Sequence, residues 1–286
     1  MAVTKEIYTP TMTLSAEEKE QNLRRLMREL QSVLVAYSGG VDSSYVALIA
    51  TQELGENALC VMGISPSVSQ TQREEAEKLA ADFKFNYVSL KTEELDNPNY
   101  QANPTNRCYF CKSELYGKLA PFAQERGIAV VVDGSNTDDT SDFRPGRQAA
   151  QENNVRSLLV EVGLSKKEIR ELSKKQGLPT WDKPASPCLS SRIAYGIPVS
   201  IERLSKVERG EKILQKFGFR EFRVRYHGEL VRLEIAPEEM ERILHKEMLD
   251  QVAERFRTLG FRYVTLDLHG YRTGAMNEIL NKSLKS

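Results

Sequence analysis

The fold is decided by the stretch Ser38-Gly39-Gly40-Val41-Asp42-Ser43 and by the two segments that flank it. The β-branched apolar run 32–37 before it predicts a buried parallel strand, and the run 43–50 after it predicts a helix. Glycines between a strand and a helix N-terminus let backbone N–H groups converge on an oxyanion, which the helix dipole also attracts. No Gly-Lys-Ser/Thr follows, so the stretch is not a Walker-type loop. We predict a phosphate-binding loop, with a glycine turn that binds no ligand as the alternative.

Strands and helices alternate along most of the chain. We predict strands near 32–37, 58–64, 86–90, 128–132 and 156–161. We predict helices near 15–30, 43–54, 68–84, 109–126 and 165–176, the first of which opens with a capping box. Nearly all-apolar strands in such an alternation are typical of an α/β fold with a doubly wound parallel sheet. Ligands bind these sheets at the carboxyl ends of the strands, where we expect the loops 38–42, 65–69 and 133–147 to meet.

The alternation ends in the proline-punctuated loop 182–192, and we place a domain boundary just after it. A helix near 200–216 then precedes two alternating segments, 222–227 and 231–235, with a turn between them at His227-Gly228-Glu229. This pattern predicts a small α+β unit. The predicted division is an N-terminal arm at 1–20, a nucleotide-binding α/β domain at 21–195 and a C-terminal substrate-binding domain at 196–286.

Composition limits the possible partners. The chain has 286 residues with 40 basic and 40 acidic side chains, a formal net charge of zero and a pI near 6.9. Proteins that bind nucleic acid usually carry a basic excess, so this balance argues against nucleic acid as the main partner. The sequence shows no signal peptide and no apolar run long enough to span a membrane. We expect a cytoplasmic protein that does not associate with membranes.

The chain has four cysteines, which in a cytoplasmic protein suggest metal or catalytic chemistry before disulfides. Cys60 lies within an apolar strand and is expected in the core. Cys108 and Cys111 form a C-x-x-C pair on the first turn of a helix, and Cys188 lies in a loop expected at the same face. Three thiolates can hold a [4Fe–4S] cluster whose fourth iron is open to an exogenous sulfur. The alternatives are a dithiol redox pair and three unrelated thiols.

Cys188 can also act alone. Lys183 and Arg192 lie near it in the sequence, and cations beside a thiol lower its pKa and favour the thiolate. Ser190, Ser191 and Arg192 offer hydrogen-bond donors suited to a phosphate or a carboxylate. We therefore predict that Cys188 and Arg192 are catalytic and that this loop contacts the substrate.

Two further groups of polar residues suit ligands. The segment 133–147 closes an apolar strand with carboxylates, an amide and hydroxyls, which suits nucleotide contacts or Mg²⁺, although a solvated turn uses the same residue types. Arg223 and Arg225 share one strand face, where they would clamp a nucleotide phosphate or simply be solvated. Glu211 and Glu234 could hold a divalent ion or merely balance those arginines.

Taken together, these motifs resemble the LarE family, the sulfur-transfer enzymes of nickel-pincer nucleotide biosynthesis within the PP-loop ATP pyrophosphatases. The glycine-containing stretch 38–43 resembles the PP-loop itself. The more specific segments are DGSNTDD at 133–139, KPASPCLSSRIAYG at 183–196, FRVRYHGELVRLE at 222–234 and LGFRYVTLDLHGYRTGAMN at 259–277. The resemblance extends over nearly the whole chain.

The resemblance implies a reaction and a set of site residues. ATP adenylates a carboxylate of pyridinium-3,5-biscarboxylic acid mononucleotide and releases diphosphate, and a sulfur nucleophile then displaces AMP to leave a thiocarboxylate. The residues implied to cradle the pyrophosphate are Ser38, Gly39, Gly40 and Ser43, with Asp42 as the catalytic ligand of Mg²⁺. The further ATP contacts that we predict are Ala36, Met62, Gly134 and Arg144. The residues that we predict for the nucleotide substrate are Ser190, Ser191, Arg192, Arg223 and Arg225.

Members of the family obtain sulfur in two ways. Some sacrifice a loop cysteine and retain dehydroalanine, whereas others use a [4Fe–4S] cluster on three cysteines to pass on external sulfide. Because this chain has Cys108 and Cys111 in addition to Cys188, we predict the cluster. The implied partners are the nucleotide substrate, sulfide or another sulfur donor, and further copies of the same chain in a homo-oligomer.

Three other functions share parts of this pattern. A tRNA thiolase would use the same loop and cluster, but it needs a tRNA-binding module that the neutral charge does not support. An ammonia-dependent amide synthetase of the NAD or GMP synthase type has no use for the three cysteines. A nucleotide-binding module without enzymatic activity does not need Asp42 beside an acidic segment.

Overall fold

The computed structural model describes residues 14–140, 145–184, 187–272 and 274–278. Its strands are β1 (Val33–Ala36), β2 (Ala58–Ile64), β3 (Asn86–Lys91), β4 (Val130–Val132), β5 (Phe222–His227), β6 (Leu230–Ile235) and β7 (Tyr263–Leu266). Its α-helices are α1 (Ala16–Leu30), α2 (Val41–Leu54), α3 (Gln70–Asp82), α4 (Pro98–Gln101), α5 (Arg107–Gln124), α6 (Pro145–Glu152), α7 (Leu158–Glu161), α8 (Lys166–Lys175), α9 (Ile201–Lys216), α10 (Met240–Ile243) and α11 (Lys246–Arg257).

The first sheet is parallel throughout and has the strand order β3-β2-β1-β4. All four residues of β1 are buried, because this strand lies inside the sheet and is covered on both faces. Helices α1, α2 and α8 contribute to the core cluster that packs against it. The predicted α/β fold with a parallel sheet is confirmed.

One predicted strand is wrong. The segment 156–161 pairs with β4 only through a single bridge from Arg156 to Val132, and it then turns into the short helix α7. Leu158 and Leu159 are both fully buried on that helix. Adjacent apolar residues fit a buried strand and a buried helical turn equally well, so the apolar pattern alone could not separate the two.

The second sheet is smaller and mixed. Strands β5 and β6 form an antiparallel hairpin, and β7 adds to β6 in parallel. Gly228 makes the turn of the hairpin with a φ of 76°. The buried apolar residues of α9 and α11 pack on this sheet in a core cluster of their own. The predicted small α+β unit is confirmed as the second part of the fold.

The two parts of the chain share contacts near the segment 98–111. Tyr100 is fully buried in the core cluster of the second sheet although it belongs by sequence to the first part. Cys111 also packs against that cluster. The division at 20 and 195 stays a proposal. Helix α1, with its capping box between Ser15 and Glu18, begins inside the segment that the division assigns to an arm.

The helices that the structure describes are too short or too polar to cross a membrane. None of those in the described part of the chain combines the length and the apolar character that a membrane span requires.

Candidate functional site

The phosphate-binding loop lies between β1 and α2, as the sequence predicts. Gly39 has a φ of 70°, and a Cβ at this position would lie 2.6 Å from the Cβ of Ala76 on α3. The hydroxyl of Ser43 accepts a hydrogen bond from the backbone N–H of Ser38 at 3.2 Å and lies 3.0 Å from the Ser38 hydroxyl. The glycine conformation and these bonds fix a turn whose backbone precedes a helix N-terminus, an arrangement that suits an oxyanion.

Gly134 brings the acidic segment against this loop. A Cβ at Gly134 would lie 2.7 Å from the backbone nitrogen of Ser43, so only glycine allows the approach. Asp133 is buried and accepts hydrogen bonds from the hydroxyls of Ser135 and Ser157, both at 2.8 Å. Asp133 therefore braces the segment. Arg144, a predicted ATP contact, lies outside the described residues.

Asp42 lies on the first turn of α2 and has one free oxygen. Its Oδ2 accepts a hydrogen bond from Lys166 at 2.5 Å, whereas its buried Oδ1 has no partner among the described residues. Burial raises the pKa of Asp42, the charge of Lys166 opposes that rise, and Asp139 adds to it. An unpaired carboxylate oxygen beside a phosphate-binding turn fits one protein ligand of Mg²⁺, which keeps water and substrate oxygens as its other ligands.

Lys166 and Lys183 are two cations at this loop that the sequence did not identify as site residues. Lys166 follows Ser165, which caps α8. Lys183 ion-pairs with Glu75 at 2.7 Å, and its Nζ lies 3.4 Å from the backbone oxygen of Gly39. The sequence placed Lys183 near Cys188, but the side chain contacts the phosphate-binding loop. Ser165 and Glu168 form a capping box, a pattern that marks the start of a helix in the sequence. It does not indicate that Lys166, the next residue, contacts Asp42.

Two predicted ATP contacts lie at the carboxyl ends of strands. Ala36 ends β1, and Met62 lies near the end of β2 with its sulfur 3.7 Å from the hydroxyl of Tyr87. Both are buried. They lie in the region where ligands bind parallel sheets, and their contact with ATP stays a prediction.

The cysteines divide into one in the core and three in a shared region. Cys60 is fully buried in the core, as predicted, and burial raises its pKa to about 12. Cys108 and Cys111 lie on the first turn of α5, and Cys188 precedes the short helical turn 189–192. Burial raises the pKa of the Cys111 thiol, and the proximity of Cys188 and, less strongly, of Cys108 raises it further. The three thiols therefore lie within electrostatic range of one another.

This arrangement does not support the predicted [4Fe–4S] cluster. Within residues 14–140, 145–184, 187–272 and 274–278, no three His, Cys, Asp or Glu side chains are grouped so that they could hold a metal ion. Cys108 is exposed, whereas Cys111 and Cys188 are half-buried. C-x-x-C spacing indicates that two thiols share a helical turn, but it does not determine where the third thiol lies.

The polar side chains around Cys188 are already bonded within the protein. Arg192 is 3% exposed, and its guanidinium donates to Glu211 at 2.8 Å and to the backbone oxygens of Pro187 and Cys188. Ser190 bonds to the hydroxyl of Tyr100 at 2.6 Å, and Ser191 donates to the Cys188 oxygen at 2.8 Å. These groups hold the shape of the loop. Their contact with a substrate stays a prediction.

Arg223 and Arg225 lie on β5, but they have different partners. Arg225 ion-pairs at 2.8 Å with Glu234, which is fully buried, and donates to the backbone oxygen of Ser191 at 3.1 Å. Arg223 donates to the hydroxyl of Tyr271 at 3.2 Å, and its guanidinium carbon lies 4.5 Å from the centre of that ring. Burial lowers the pKa of Arg223, and the charge of Arg192 lowers it further.

The two glutamates predicted as ligands of a divalent ion are paired with arginines. Glu211 accepts from Arg192, and Glu234 accepts from Arg225 and, at 3.1 Å, from Arg232. Across the described ranges these carboxylates are not part of any three-residue group that could hold a metal. The geometry supports the alternative in which they balance the arginines.

Sequence comparisons with known proteins show which family this chain belongs to. A family model described as NAD synthase matches residues 17–181. The chain is 35% identical over 266 residues to the pyridinium-3,5-bisthiocarboxylic acid mononucleotide synthase of Lactiplantibacillus plantarum, covering 93% of this chain and 96% of that protein. The chain belongs to the LarE family of PP-loop ATP pyrophosphatases.

Other relatives show how far the similarity reaches. An uncharacterized protein of Synechocystis is 46% identical over 93% of this chain and 99% of its own length. One component of a glutamine-hydrolysing GMP synthase from Thermoplasma volcanium is 26% identical, with 56% of each chain covered. Similarity to the GMP synthase component thus covers little more than half of this chain, whereas similarity to the Lactiplantibacillus and Synechocystis proteins covers 93% of it.

In this LarE-family chain, Glu94 is a buried acid that the sequence did not identify. It is 2% exposed, and its Oε1 accepts hydrogen bonds from the hydroxyls of Ser65 and Ser67. Its buried Oε2 has no partner among the described residues. Because Ser65 and Ser67 follow β2, Glu94 braces a loop at the carboxyl end of the sheet. No local motif marks such a contact.

Proposed function

We propose that this chain adenylates a carboxylate of pyridinium-3,5-biscarboxylic acid mononucleotide with ATP and converts it to a thiocarboxylate, releasing AMP and diphosphate. A carboxylate is a poor electrophile until one of its oxygens becomes part of a good leaving group. Adenylation supplies AMP as that leaving group. The similarity to the Lactiplantibacillus synthase, which covers 93% of this chain, supports this choice of substrate.

The phosphate-binding loop serves the first step. Backbone N–H groups at the start of α2 are positioned to stabilise the charge on the departing diphosphate, since fixed donors need no reorganisation. Asp42 would hold Mg²⁺ through its unpartnered Oδ1. The bound ion would neutralise charge on the phosphates as the diphosphate leaves.

The observation that carries the proposal is the way the loop around Cys188 is held. The backbone N–H of Leu189 donates at 2.8 Å to the backbone oxygen of Ser67, which lies in the loop after β2. Arg225 holds the backbone oxygen of Ser191 from the side of β5. The cysteine thus lies between the ligand-binding end of the first sheet and the arginines of the second, where a sulfur could reach an activated carboxylate.

Cys188 is the sulfur-bearing residue of the proposal, and the sulfur has two routes to the substrate. In one, the Cys188 thiolate attacks the acyl-adenylate and displaces AMP, and β-elimination from the resulting thioester removes the α-proton, breaks the Cβ–S bond with its electron pair going to sulfur, and leaves thiocarboxylate and dehydroalanine. In the other, external hydrosulfide attacks the acyl-adenylate in the thiol region, AMP leaves with the electron pair of its bond to the acyl carbon, and the proton of the hydrosulfide passes to solvent. Because the described geometry does not support a cluster, no step is assigned to one.

A product assay tests the proposed reaction. The protein is incubated with ATP, Mg²⁺ and the pyridinium dicarboxylate nucleotide, and phosphates and nucleotide products are resolved by chromatography and mass spectrometry. We expect AMP, diphosphate and a product in which sulfur replaces oxygen. Release of ADP and orthophosphate, or thiolation of added tRNA in place of the nucleotide, would contradict the proposal.

Variants then locate the sulfur. Cys188→Ser should abolish thiocarboxylate formation while diphosphate release persists, because adenylation precedes the step that uses the thiol, and Cys60→Ala is the control for loss of a core thiol. Intact mass of the reacted wild-type protein separates the two sources, since sacrifice leaves the chain lighter by one H₂S. Thiocarboxylate formation by Cys188→Ser would remove this residue from the reaction.

A further inference from the structure

The carboxyl group of Glu94 connects the end of the first sheet to residues 187–192, the cysteine loop. Its Oε1 accepts hydrogen bonds from the hydroxyl of Ser65 and, at 2.7 Å, from the hydroxyl of Ser67. The Ser65 hydroxyl also accepts a hydrogen bond from the backbone N–H of Ser67 at 3.1 Å. One carboxyl oxygen thereby fixes both serines of the turn that follows β2.

The same turn holds the cysteine loop through its backbone. The backbone oxygen of Ser67 accepts a hydrogen bond at 2.8 Å from the backbone N–H of Leu189, the residue after Cys188. Ser67 is 1% exposed and Leu189 is 3% exposed, so water does not replace either partner without local opening. The direction of the Ser67 carbonyl therefore contributes to where Cys188 lies.

Fold stability alone does not account for an acid at position 94. The side chain is 2% exposed, it forms no ion pair within the described ranges, and its buried Oε2 has no partner there. Burial of a carboxyl group with one oxygen unbonded is unfavourable. An apolar side chain would suit such a place better if packing alone mattered. The acid is therefore best explained by the two serines that its Oε1 holds.

The phosphate-binding loop is supported separately. Gly39 lies against Ala76 of α3. The first residue of that helix, Gln70, donates from its backbone N–H to Glu208 on α9 at 2.7 Å. Neither contact involves Glu94. Loss of the Glu94 carboxyl should therefore disturb the cysteine loop and leave the phosphate-binding loop in place.

We propose that Glu94 is a positioning residue for sulfur transfer, which acts through Ser67 to place Cys188 against the activated carboxylate. The proposal rests on the proposed function for the reaction that it serves, whereas the effect on the cysteine loop does not depend on turnover. Release of diphosphate at the phosphate-binding loop proceeds without Glu94. Formation of the thiocarboxylate depends on it, because the reacting atoms must approach within about 3–3.5 Å.

The amount of thiocarboxylate formed per diphosphate released in a single turnover tests the role of Glu94. Glu94→Leu removes the acceptor of both serine hydroxyls. We expect it to lower this ratio roughly tenfold or more, since a misplacement of about 1 Å can cost roughly 100-fold in rate. The rate of diphosphate release should stay near that of the wild type. Glu94→Gln keeps an acceptor oxygen and the shape of the side chain, and it should retain most of the wild-type ratio.

Two further variants complete the set. Ser67→Ala removes one of the two hydroxyls and should lower the ratio about threefold, which also covers the case in which Glu94→Leu does not fold. Glu20 is a buried acid at another place, 7% exposed and bonded to the hydroxyl of Tyr45 at 2.8 Å, and Glu20→Leu should leave the ratio unchanged.

Three results would overturn the positioning role. The first is an unchanged ratio in Glu94→Leu, or in Ser67→Ala where Glu94→Leu does not fold. The second is an equal drop in Glu20→Leu, which would assign the effect to the loss of any buried acid. The third is an equal loss in Glu94→Gln and Glu94→Leu, which would assign the effect to Oε2 or to the acidity of the side chain.

Hydrogen exchange at the Leu189 amide tests the cysteine loop without any turnover. This N–H donates to Ser67, so Glu94→Leu should speed its exchange at least about tenfold, whereas Glu94→Gln should not. The Gly196 amide, which donates to the backbone oxygen of Asn103 at 3.1 Å, is the internal reference and should keep its rate. Unchanged exchange at Leu189 would overturn the link from Glu94 to the loop. If AMP and diphosphate never form even in the wild type, the proposed function fails, while the exchange rates still decide that link.

Discussion

Two regions predicted to bind phosphate obtain their positive character in different ways. The loop between β1 and α2 relies on backbone N–H groups, on Gly39 in a left-handed conformation and on a helix N-terminus. The face of β5 relies on arginine side chains, of which Arg225 is already paired with the buried Glu234. Among the described residues, no carboxylate accepts a hydrogen bond from the backbone N–H groups of the first region, so a phosphate can bind there without displacing one. At the second, a phosphate would have to compete with glutamates.

The difference teaches which kind of prediction a sequence supports. A phosphate loop built from backbone is specified by local residues whose order alone fixes the turn. A side-chain clamp depends on partners brought by other elements, so identical arginines can bind a ligand or neutralise a neighbour. Four experiments test this contrast.

The largest expected effect is in the backbone-built loop, with Gly39→Ala. The new methyl group would require a φ of 70° and would lie 2.6 Å from Ala76, so the loop must move. Because several donors move together, diphosphate release should fall roughly 1,000-fold, equivalent to about 4 kcal/mol. Gly55→Ala is the matched control, since its φ of 56° imposes similar strain with no atom within 4 Å. Equal loss of activity in both variants would show that strain alone accounts for the effect.

In the arginine region the expected effect of Glu234→Gln is on stability. Removing this carboxylate leaves the buried Arg225 without a counter-charge, which should lower the free energy of unfolding by about 3 kcal/mol. The matched control is Glu229→Gln, whose ion pair with Arg262 is solvent-exposed at both ends and should matter by about 0.5 kcal/mol or less. Urea unfolding of the wild type, Glu234→Gln and Glu229→Gln measures both changes in the free energy of unfolding. A stable Glu234→Gln protein would mean that Arg225 was not dependent on this pair.

The outcome for the sequence predictions follows the same division. The bounds predicted for β2, 58–64, are those observed, because an apolar run between turn signals decides them locally. The contact of Lys166 with Asp42 joins residues 124 positions apart and could not be predicted from either segment. The hairpin register sets Glu234 directly opposite Arg223, yet Glu234 ion-pairs with Arg225, its diagonal neighbour on the same face. The sequence therefore predicts neither this pair nor the choice between a phosphate clamp and a balanced pair, which requires knowing that Arg225 and Glu234 are both buried.

Lys166→Met probes a side-chain cation that touches the backbone-built loop through Asp42. The charge of Lys166 lowers the pKa of Asp42, so removing it raises that pKa and keeps the carboxyl protonated to a higher pH. Activity should therefore fall on the acid side of the pH profile, by about fivefold below its midpoint, and recover at alkaline pH. Lys167→Met changes the neighbouring lysine and should leave the profile in place. A loss of activity equal at every pH would show that Lys166 acts by some means other than the charge of Asp42.

The smallest expected effect concerns Arg223, whose guanidinium packs over the ring of Tyr271. Tyr271→Phe removes the hydroxyl that Arg223 bonds at 3.2 Å and keeps the ring beneath the guanidinium. If Arg223 binds the phosphate of the nucleotide, its looser position should raise the apparent constant for that substrate about threefold, or roughly 0.5–1 kcal/mol, because one neutral hydrogen bond is lost. The constant for ATP should not change. Tyr263→Phe, on the exposed end of β7, is the control. A change in the ATP constant, or an equal change in the control, would separate Arg223 from the nucleotide phosphate and leave β5 as a structural strand.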